Sequence, residues 1–349
     1  MPYEKNLRMN KVTLGTIATA CDVSKFAVSR ALSGKSGVSE ETRRRVLETA
    51  DRLGYRKPLL SRRPVVAVLF EDPAHVNGEL HSQLQAGMQA EAAKLGYDVQ
   101  PHWLHHGDGI DGLIRTADGI AAINLQDAGV VRRVRASGKP AVYSGWPKPL
   151  DGVDTVNGTD RESGGAVARH LLGLGHREIA YVNGETQLRG RRERFHGLRE
   201  MVECEAGRAC HVIDWRRGET FADALDALLA AGGRPTAFFC SHDGLALTVV
   251  TEMLSRGWSI PHDVSVVGFG NFSTARDIRP PLTTIRVRGD EMGRSIIHLL
   301  HARLTGSHWS TAPIRYQIVN EFVLRGTTGP RPEPAHATAP KFETPSLAR

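Results

Sequence analysis

The chain has 349 residues, 40% of them hydrophobic and 24% charged, a composition typical of soluble globular proteins and not of membrane-spanning or disordered ones. No apolar run is long enough to cross a bilayer, and the polar N-terminus lacks the hydrophobic segment of a secretion signal. The formal net charge of +7 is concentrated at one end, because residues 1–63 hold 14 Lys and Arg against 6 Asp and Glu. Such a basic region is typical of a module that binds nucleic-acid phosphates.

Three short helices are predicted at the start of the chain, in residues 12–56. Thr13 is the predicted N-cap of the first helix, Ser24 caps a second over residues 25–32, and Ser39 caps a third. Two helices joined by a sharp turn form a helix-turn-helix pattern, whose second helix reads base edges in DNA. The alternative interpretation is a small helical subdomain with a charged solvent face. The concentration of positive charge favours DNA binding.

Beyond this helical region, short apolar strands alternate with amphipathic helices. PVVAVLF (64–70) and REIAYVNG (177–184) are examples of the strands, and the alternation is that of a parallel sheet covered by helices. Because the alternation runs twice, two doubly wound lobes are predicted, with a ligand cleft at the carboxyl ends of their strands. IVNEFVLRG (318–326) is predicted as a closing strand, and the proline-rich residues 327–349 as a disordered tail.

Four cysteines are scattered along the chain without paired ligand spacing. Reduced thiols in a cytoplasmic protein are the simplest interpretation of such usage. The four residues are Cys21, Cys204, Cys210 and Cys240.

Seven blocks between residues 12 and 326 resemble one family in their composition and order. They are VSKFAVSRAL, GVSEETRRRVLETADRLGY, HLLGLGHREIAYVNG, RERFHGLRE, SHDGLAL, IPHDVSVVGF and RPPLTTIRV. On these blocks the chain is identified as a member of the lactose-repressor/galactose-repressor (LacI/GalR) family of bacterial transcription regulators. The resemblance implies an α/β fold class, with an N-terminal three-helix helix-turn-helix head and a two-lobed, doubly wound core like a periplasmic binding protein. The implied divisions are an arm (1–11), the DNA-binding head (12–56), a short hinge (57–63), a ligand-binding and dimerisation core (64–326) and the tail (327–349).

The resemblance assigns the DNA contacts to the head. Lys25, Phe26 and Arg30 match its base-reading positions, and the planar fork of Arg30 can pair bidentately with guanine. Phe26 stands where the family usually carries a polar residue. Its ring could contact a thymine methyl group, or it could extend the packing of the head. Positions that hold the DNA backbone are matched by Ser24, Ser29, Ser39 and Thr42.

The hinge departs from the family pattern. RKPLLSRRP runs almost directly into the first strand, where family members usually have a longer helix that folds on DNA. Leu59 or Leu60 could insert into the minor groove as the leucine of that helix does. The alternative interpretation is an ordinary basic linker.

The resemblance also places ligand contacts in the cleft. Arg194 matches a position that holds ligand hydroxyls or carboxylates, Asp243 matches an acid that accepts from hydroxyls, and Trp215 matches an aromatic plate against a sugar. The alternatives are an ion pair between Arg194 and Asp243 across the lobes, and a place for Trp215 in the core. Asp160 and Glu162 fall near another strand end of the cleft. The acidic pair usual after VVGF is replaced by Gly270-Asn271, so the class of ligand stays open.

Catalytic and metal-binding motifs are missing from the sequence. It contains no Gly-x-Ser-x-Gly elbow, Walker loop or dinucleotide fingerprint. His105, His106 and Asp108 form a short cluster without a second ligand pair, and His298 with His301 is too small a set for a site. We therefore expect a protein that is not an enzyme and has no cofactor or metal.

The expected function is sequence-specific regulation of transcription by a cytoplasmic homodimeric repressor with no membrane segment. Its expected partners are double-stranded DNA with a palindromic operator, and a small-molecule effector, a sugar or related metabolite, bound between the lobes. One alternative is a solute-binding module with a vestigial DNA-binding head, which the polarised charge disfavours. Another is an enzyme fused to a DNA-binding domain, which the absence of a nucleophile disfavours. Activation, and tightening of DNA binding by the ligand, both stay open.

Overall fold

The computed structural model describes residues 12–32, 36–53, 55, 63–71, 78–104, 109–184, 188–215, 218–307 and 310–333. The chain divides into two compact units, Met1–Arg63 and Pro64–Arg349. The first contains the predicted head and the second contains the predicted core. Leu59 and Leu60 of the predicted hinge lie outside the described residues, as does the short histidine cluster at residues 105–108.

The head consists of α1 (Leu14–Cys21), α2 (Lys25–Leu32) and α3 (Glu40–Arg52). The predicted caps are confirmed, because the hydroxyls of Thr13, Ser24 and Ser39 each accept a hydrogen bond from an N–H in the first turn that follows. Asp22, between α1 and α2, has the left-handed conformation that a sharp turn requires, with φ 51°. Local sequence chemistry therefore fixes where each helix begins and how the first two are joined.

The three helices bury one small core of their own. Ile17, Val28 and Val46, one from each helix, are completely buried. Each such side chain stabilises the head by about 1.5–3 kcal/mol through its removal from water. Because Val28 and Ala31 hold the inner side of α2, the opposite side of this helix is left to solvent.

The core alternates strands and helices along nearly its whole length, as the sequence predicts. It begins with β1 (Val65–Phe70), α4 (Gly78–Leu95), β2 (Asp98–Trp103), α5 (Asp111–Thr116), β3 (Gly119–Ile123), α6 (Ala128–Ala136), β4 (Ala141–Ser144) and β5 (Asp154–Gly158). It continues with α7 (Asp160–Gly173), β6 (Glu178–Val182), α8 (Arg189–Val202), β7 (Ala209–Ile213), α9 (Phe221–Ala230), β8 (Ala237–Cys240), α10 (Asp243–Ser255), β9 (Ser265–Gly270), α11 (Ser273–Asp277) and β10 (Thr283–Arg286). It ends with α12 (Gly289–Thr305), β11 (Arg315–Ile318) and β12 (Glu321–Val323).

The strands form two sheets, and each sheet with its helices is one lobe of the core. The first lobe has the strand order β11-β5-β4-β3-β1-β2, and the second has β12-β10-β9-β8-β6-β7. All neighbouring strands are parallel except β10 and β12, which are antiparallel. The predicted fold class, a helix-turn-helix head with a two-lobed doubly wound core, is confirmed.

The chain crosses between the lobes three times. It passes from β5 to α7, from β10 to α12, and from β11 to β12. The last crossing corrects the sequence prediction of a single closing strand. IVNEFVLRG is divided at Val319 and Asn320, so that its first part joins the first sheet and its second part joins the other.

The core extends beyond its predicted end at Gly326. Thr327 is completely buried, its carbonyl accepts from the N–H of Val266 at 2.8 Å, and its hydroxyl donates to the carbonyl of Val266 at 2.6 Å. The N–H of Gly329 donates to the Ser265 hydroxyl at 3.0 Å. The prediction that the disordered tail begins at residue 327 is therefore wrong. Proline content suggested disorder, but backbone pairing with β9 orders this segment.

Deletion of this segment should destabilise the core. A chain ending at Gly326 leaves the N–H groups of Val266 and Thr283 buried without their partners, the carbonyl and the hydroxyl of Thr327, and each such group costs about 1–3 kcal/mol. We therefore expect the free energy of unfolding, measured by urea titration of tryptophan fluorescence, to fall by about 2–6 kcal/mol. A chain ending at Glu333 is the matched control and should keep its stability. Equal unfolding midpoints for the two truncated chains would contradict this account.

Candidate functional site

A cavity of about 100 Å³ lies between the two lobes. Asn124 and Trp146 reach it from the ends of β3 and β4 in the first lobe, and His242 and Phe269 from the ends of β8 and β9 in the second. In doubly wound sheets the carboxyl ends of the strands are where ligands bind. The cavity is therefore at the position that the sequence predicts for the cleft.

Arg194 is held in this cavity by three contacts. Its Nε donates to Oδ1 of Asp160 at 2.8 Å, and its Nη1 donates to the carbonyl of Ser241. The guanidinium carbon lies 3.4 Å from the centroid of the Phe269 ring, which is within the range of a cation–π contact. Since the side chains of Arg194 and Asp160 are only 15% and 10% exposed, they form a largely desolvated, charge-assisted pair. Arg194 is thus paired with Asp160 and not with Asp243.

Two glycines allow this pair to form. Asp160 is the first residue of α7, and Arg194 lies in the middle of α8. A Cβ on Gly164 would overlap the backbone of Arg194, and a Cβ on Gly197 would overlap the backbone of Arg161. The two helices can therefore approach closely only with glycine at these points. Their close contact brings the acid of one helix against the guanidinium of the other.

Trp146 is hydrogen-bonded to the second oxygen of the Asp160 carboxylate. Its Nε1 donates to Oδ2 of Asp160 at 2.8 Å, and a Cβ on the neighbouring Gly190 would come within 3.1 Å of both groups. Because Trp146 belongs to the first lobe and Asp160 to the second, this bond joins the lobes beside the cavity. Trp146 is not among the predicted contacts, although its position directly after a predicted strand was a usable signal.

His242 contributes a neutral donor to the cavity. It is the N-cap of α10, where its Nδ1 accepts from the N–H of Leu245 at 3.3 Å. Burial, together with the charges of Arg191 and Arg194, lowers the pKa of His242 to about 3. The imidazole is therefore neutral near pH 7, and its single proton is on Nε2 because Nδ1 is the acceptor.

Asp243 does not line the cavity, in contrast to its predicted role as a ligand contact. It is completely buried, with Oδ1 accepting from the Thr284 hydroxyl at 2.6 Å and Oδ2 from the N–H of Phe272 at 2.7 Å. Burial raises the pKa of this carboxyl to about 6. His242 precedes α10 with extended backbone and faces the cavity, whereas Asp243, the first residue of the helix, ties α10 to β10 and to the segment before α11.

Two other predicted ligand contacts also lie elsewhere. The ring of Trp215 makes an edge contact with Phe221 at a centroid distance of 6.1 Å and packs against the apolar cluster of the second lobe, as the alternative interpretation holds. Glu162 is exposed on α7 and does not line the cavity. Of the five predicted contacts, the structure brings together Arg194 and Asp160.

Three asparagines add amide groups to the lining of the cavity. Asn157 accepts through Oδ1 from the N–H of Gly145 at 2.7 Å, and Asn320 donates through Nδ2 to the Ser163 hydroxyl at 3.0 Å. Oδ1 of Asn320 is buried without a hydrogen-bond partner among the described residues. A buried acceptor of this kind is costly until a donor reaches it, and a ligand hydroxyl is such a donor. The lining residues missed by the sequence analysis include His81, Asn124, Trp146, Asn157, His242, Phe269 and Asn320.

The lining suits recognition of a small polar molecule. It combines a fixed guanidinium, a carboxylate, amides, a neutral imidazole and two aromatic rings. In the part of the chain that the structure describes, no group of three or more His, Cys, Asp or Glu is arranged to hold a metal ion. Across the same residues, no helix combines the length and apolar character needed to span a bilayer.

A second candidate site is the solvent side of α2 in the head. Lys25 and Phe26 are exposed there, and Phe26 is 69% exposed. Nε of Arg30 donates to the carbonyl of Ser36 at 2.7 Å, and its guanidinium carbon lies 5.3 Å from the centroid of the Phe26 ring. The structure thus groups the three predicted base-reading residues on one side of α2. Phe26 does not extend the packing of the head.

The predicted phosphate contacts differ in what their hydroxyls do. Ser24 and Ser39 cap α2 and α3, and the Ser39 hydroxyl also donates to the Thr42 hydroxyl at 2.8 Å. Ser29 is exposed on α2 beside the base-reading residues. Ser24 and Ser39 therefore mark helix N-termini, whose free N–H groups attract anions.

Comparison with known proteins matches both parts of the chain. Residues 13–57 match the model of the bacterial regulatory proteins of the lacI family, and residues 168–328 match that of the periplasmic binding protein-like domain. The transcriptional regulator GalR of Lacticaseibacillus casei is 25% identical over 332 residues, which cover 90% of this chain and 99% of that protein. DegA of Bacillus subtilis (strain 168), also a transcriptional regulator, is 27% identical over 344 residues, which cover 92% and 99%.

Solved structures share the fold over nearly the whole chain. The CelR transcriptional regulator in complex with cellobiose has a TM-score of 0.67 at 24% identity, with 90% of this chain and 99% of that chain covered. The lac repressor dimer bound to operator and the anti-inducer ONPF has a TM-score of 0.64 at 22% identity, with 92% and 100% covered. With a LacI-type head, a periplasmic-binding-protein-like core and relatives matched over nearly their full length, the chain belongs to the LacI/GalR family of bacterial transcription regulators.

Proposed function

We propose that this protein is a homodimeric transcriptional repressor whose affinity for a palindromic operator is set by a small polyhydroxylated effector in the core cavity. The proposal rests on one observation. The same chain combines a basic helix-turn-helix head, with Lys25 and Arg30 presented on α2, and a separate core whose cavity is lined by hydrogen-bonding groups. Relatives named as transcriptional regulators and repressors support it. Action on DNA implies work in the cytoplasm.

The head supplies both parts of operator recognition. Its positive charge attracts the phosphate backbone regardless of sequence, and the N-termini of α2 and α3 offer N–H groups to phosphates. The exposed side of α2 carries the groups that distinguish bases. Lys25 offers a point charge, and Arg30 offers a planar fork that matches O6 and N7 of guanine.

The core supplies effector binding. Arg194 and Asp160 hold each other in fixed orientations, so both can bond ligand hydroxyls with little further loss of side-chain entropy. Trp146 offers an aromatic surface to the apolar face of a sugar ring. The buried Oδ1 of Asn320 can accept a hydrogen bond from a ligand hydroxyl. The structurally similar CelR regulator was solved with cellobiose, which supports a saccharide as the class of effector.

Effector and operator are coupled through the position of the two lobes. Among the described residues, the hydrogen bonds that join the lobes include those of Trp146 to Asp160, of Arg189 to the carbonyl of Pro147 at 2.7 Å, and of Ser273 to Glu79 at 3.0–3.1 Å. A ligand that bonds to groups from both lobes favours one lobe arrangement over another. It can change operator affinity only by this difference in affinity between arrangements.

The dimer is supported by an apolar strip on the second lobe. Leu247 and Leu254 lie seven residues apart on α10, and therefore on the same side of it, and they are 42% and 49% exposed. Exposed apolar side chains aligned on one helix are typical of a protein interface. Two copies related by two-fold symmetry would present two heads to two half-sites of a palindrome.

Selection of bound duplexes from a random pool, at a stated physiological salt concentration, tests operator recognition. The wild-type protein should enrich a palindrome, and Arg30→Ala should weaken its binding by about 1–3 kcal/mol and relax one base position per half-site. Arg52→Ala is the control, a basic residue at the end of α3, and it should leave every base preference unchanged. Binding that is sensitive to salt but indifferent to sequence would contradict the proposal and favour a solute-binding module with a vestigial head.

Arg194→Lys should impair the effector response. Lysine keeps the charge but loses the fork, so the hydrogen bonds that the guanidinium directs to a ligand are lost, and affinity should fall by about 10- to 100-fold. Mono- and disaccharides, cellobiose included, are first screened by the shift in melting temperature, and calorimetric titration of the saccharide that binds compares the variants. Arg199→Lys, at an exposed position on the same helix, should bind as the wild type does. If Arg194→Lys binds the saccharide with unchanged affinity, the cavity is not the effector site.

Charges placed on the apolar strip should separate the dimer. Leu247→Glu with Leu254→Glu should sediment as a monomer and should bind the selected operator more weakly, since the second head no longer adds to the first. Leu150→Glu, at an exposed loop position of the first lobe, is the control and should remain a dimer. A dimeric double variant would place the interface elsewhere on the protein.

A further inference from the structure

A second cavity, of about 470 Å³, lies in the first lobe. It is lined by Ala141 and Asp154, the first residues of β4 and β5, and by Arg303 near the end of α12. The effector cavity lies at the carboxyl ends of the strands, and none of the described residues lines both cavities. Sites that bind small molecules typically have volumes of about 300–1,000 Å³, so the second cavity has the size of a ligand site.

Positive charge predominates around this second cavity. The side chains of Arg135, Lys139 and Arg303 line it, and Asp154 is the acid among its described lining residues. Asp151, which pairs with Arg135 at 2.8 Å, supplies a second carboxylate. The excess of cations extends over α6 and the loop after it, which contain four Lys and Arg and no Asp or Glu. Such a surface attracts anions.

The two carboxylates are already bonded to protein donors. Oδ2 of Asp154 accepts from Nε of Arg303 at 2.7 Å. Its Oδ1 accepts from Nη2 of Arg303 at 2.8 Å and from the N–H of Ile314 at 2.7 Å. Asp151 accepts from Arg135. The acids therefore hold the two guanidinium groups in place, and the polar groups left to a ligand are mainly donors.

Lys139 carries a charge that none of the described acids pairs with. Its Nζ donates to the carbonyl of Arg115 at 2.7 Å and to that of Ala117, and these oxygens orient the ammonium without neutralising it. Since an ammonium group has three N–H donors, one is left for a ligand in the cavity. A donor that is already held in place loses little side-chain entropy when it binds.

The hydroxyl of Tyr143 is a second donor in the wall of this cavity. The residue lines the cavity and is only 7% exposed, and its oxygen is buried without a hydrogen-bond partner among the described residues. Burial raises the pKa of the hydroxyl, although the nearby charge of Arg135 opposes this in part. The group is therefore protonated near pH 7 and can donate to an anion. A buried polar group of this kind is costly until a partner reaches it.

We propose that the second cavity binds the phosphate group of a small phosphorylated metabolite. The phosphate accepts from Lys139 and from the Tyr143 hydroxyl, beside the guanidinium groups of Arg135 and Arg303, and Lys and Arg are the side chains that bind phosphates. The rest of the molecule fills the remaining volume. A hydroxyl recessed in a cavity favours a small molecule over the backbone of duplex DNA. The inference is independent of the proposed function, because it concerns a separate site.

Calorimetric titration of the full-length protein, in a buffer free of phosphate and sulfate, tests the inference. The probes are glycerol 3-phosphate, inorganic phosphate and acetate. Glycerol 3-phosphate should bind more tightly than inorganic phosphate, because it occupies more of the cavity, and acetate should not bind detectably. Failure of both phosphate compounds to bind would overturn the proposal, and so would an acetate affinity equal to theirs.

Two variants connect the binding to this cavity. Lys139→Met should weaken phosphate binding by about 10- to 100-fold, since a hydrogen bond to a charged group is lost. Arg133→Met is its matched control, because it removes an exposed cation of α6 that does not line the cavity, and it should bind as the wild type does.

Tyr143→Phe keeps the ring and removes only the hydroxyl. It should weaken phosphate binding by about tenfold. Its melting temperature without phosphate should not fall, because the hydroxyl has no partner to lose among the described residues. This variant keeps the proposal testable if Lys139→Met is unstable. Wild-type phosphate affinity in Tyr143→Phe would overturn the proposal.

Two further comparisons locate the bound phosphate. Arg194→Lys should bind glycerol 3-phosphate as the wild type does, and a loss of affinity there would place the phosphate in the effector cavity and overturn the proposal. Lys139→Met should bind a random-sequence DNA duplex as tightly as Arg133→Met does. If it binds the duplex more weakly while its affinity for phosphate is unchanged, these cations serve the DNA backbone, and the proposal is wrong.

Discussion

The cavity depends on one ion pair, that between Arg194 and Asp160. Its desolvated charges are tolerable because Ser241 and Trp146 add one hydrogen bond to each group and the Phe269 ring covers the guanidinium. Its two helices are close enough only because glycines face the opposing backbones. The pair therefore links the packing of α7 on α8 to the polar lining of the cavity, and through Trp146 it links one lobe to the other. Loss of either charge would disturb the packing of the two helices, the lining of the cavity and the link between the lobes.

The sequence predicted the head best because its decisive contacts are local. Each cap is a hydroxyl that accepts from an N–H a few residues along, and the turn at Asp22 depends on that residue alone. The alternation of strands and helices in the core could be predicted equally well from the sequence. The closing strand was not, because a continuous apolar run carries no mark at the point where the chain changes sheets. The predicted start of the disordered tail was wrong for a similar reason. Thr327 is ordered by hydrogen bonds to Val266 in β9, which is distant in sequence.

The cavity was predictable in position but only partly in its residues. Resemblance pointed to Arg194, and a place near a strand end pointed to Asp160. Asp243 and His242 are adjacent in sequence but face different ways. These directions depend on the start of α10 and on bonds from Thr284 and Phe272. Trp146 and Asn320 lie on connecting segments outside regular periodicity, so no pattern of apolar spacing marked them. A binding site assembled from many strand ends is a property of the tertiary fold.

The three crossings between the lobes also govern how the chain can fold during synthesis. The first sheet cannot be completed until β11, at Arg315–Ile318, has been made, because this strand pairs with β5. The core is therefore rich in contacts between distant parts of the sequence, which form slowly. The helices α1 to α3 contact one another within about forty residues and leave the ribosome before the core, because synthesis proceeds from the N-terminus. Such an order would give a nascent chain its DNA-binding module well before it has an effector site.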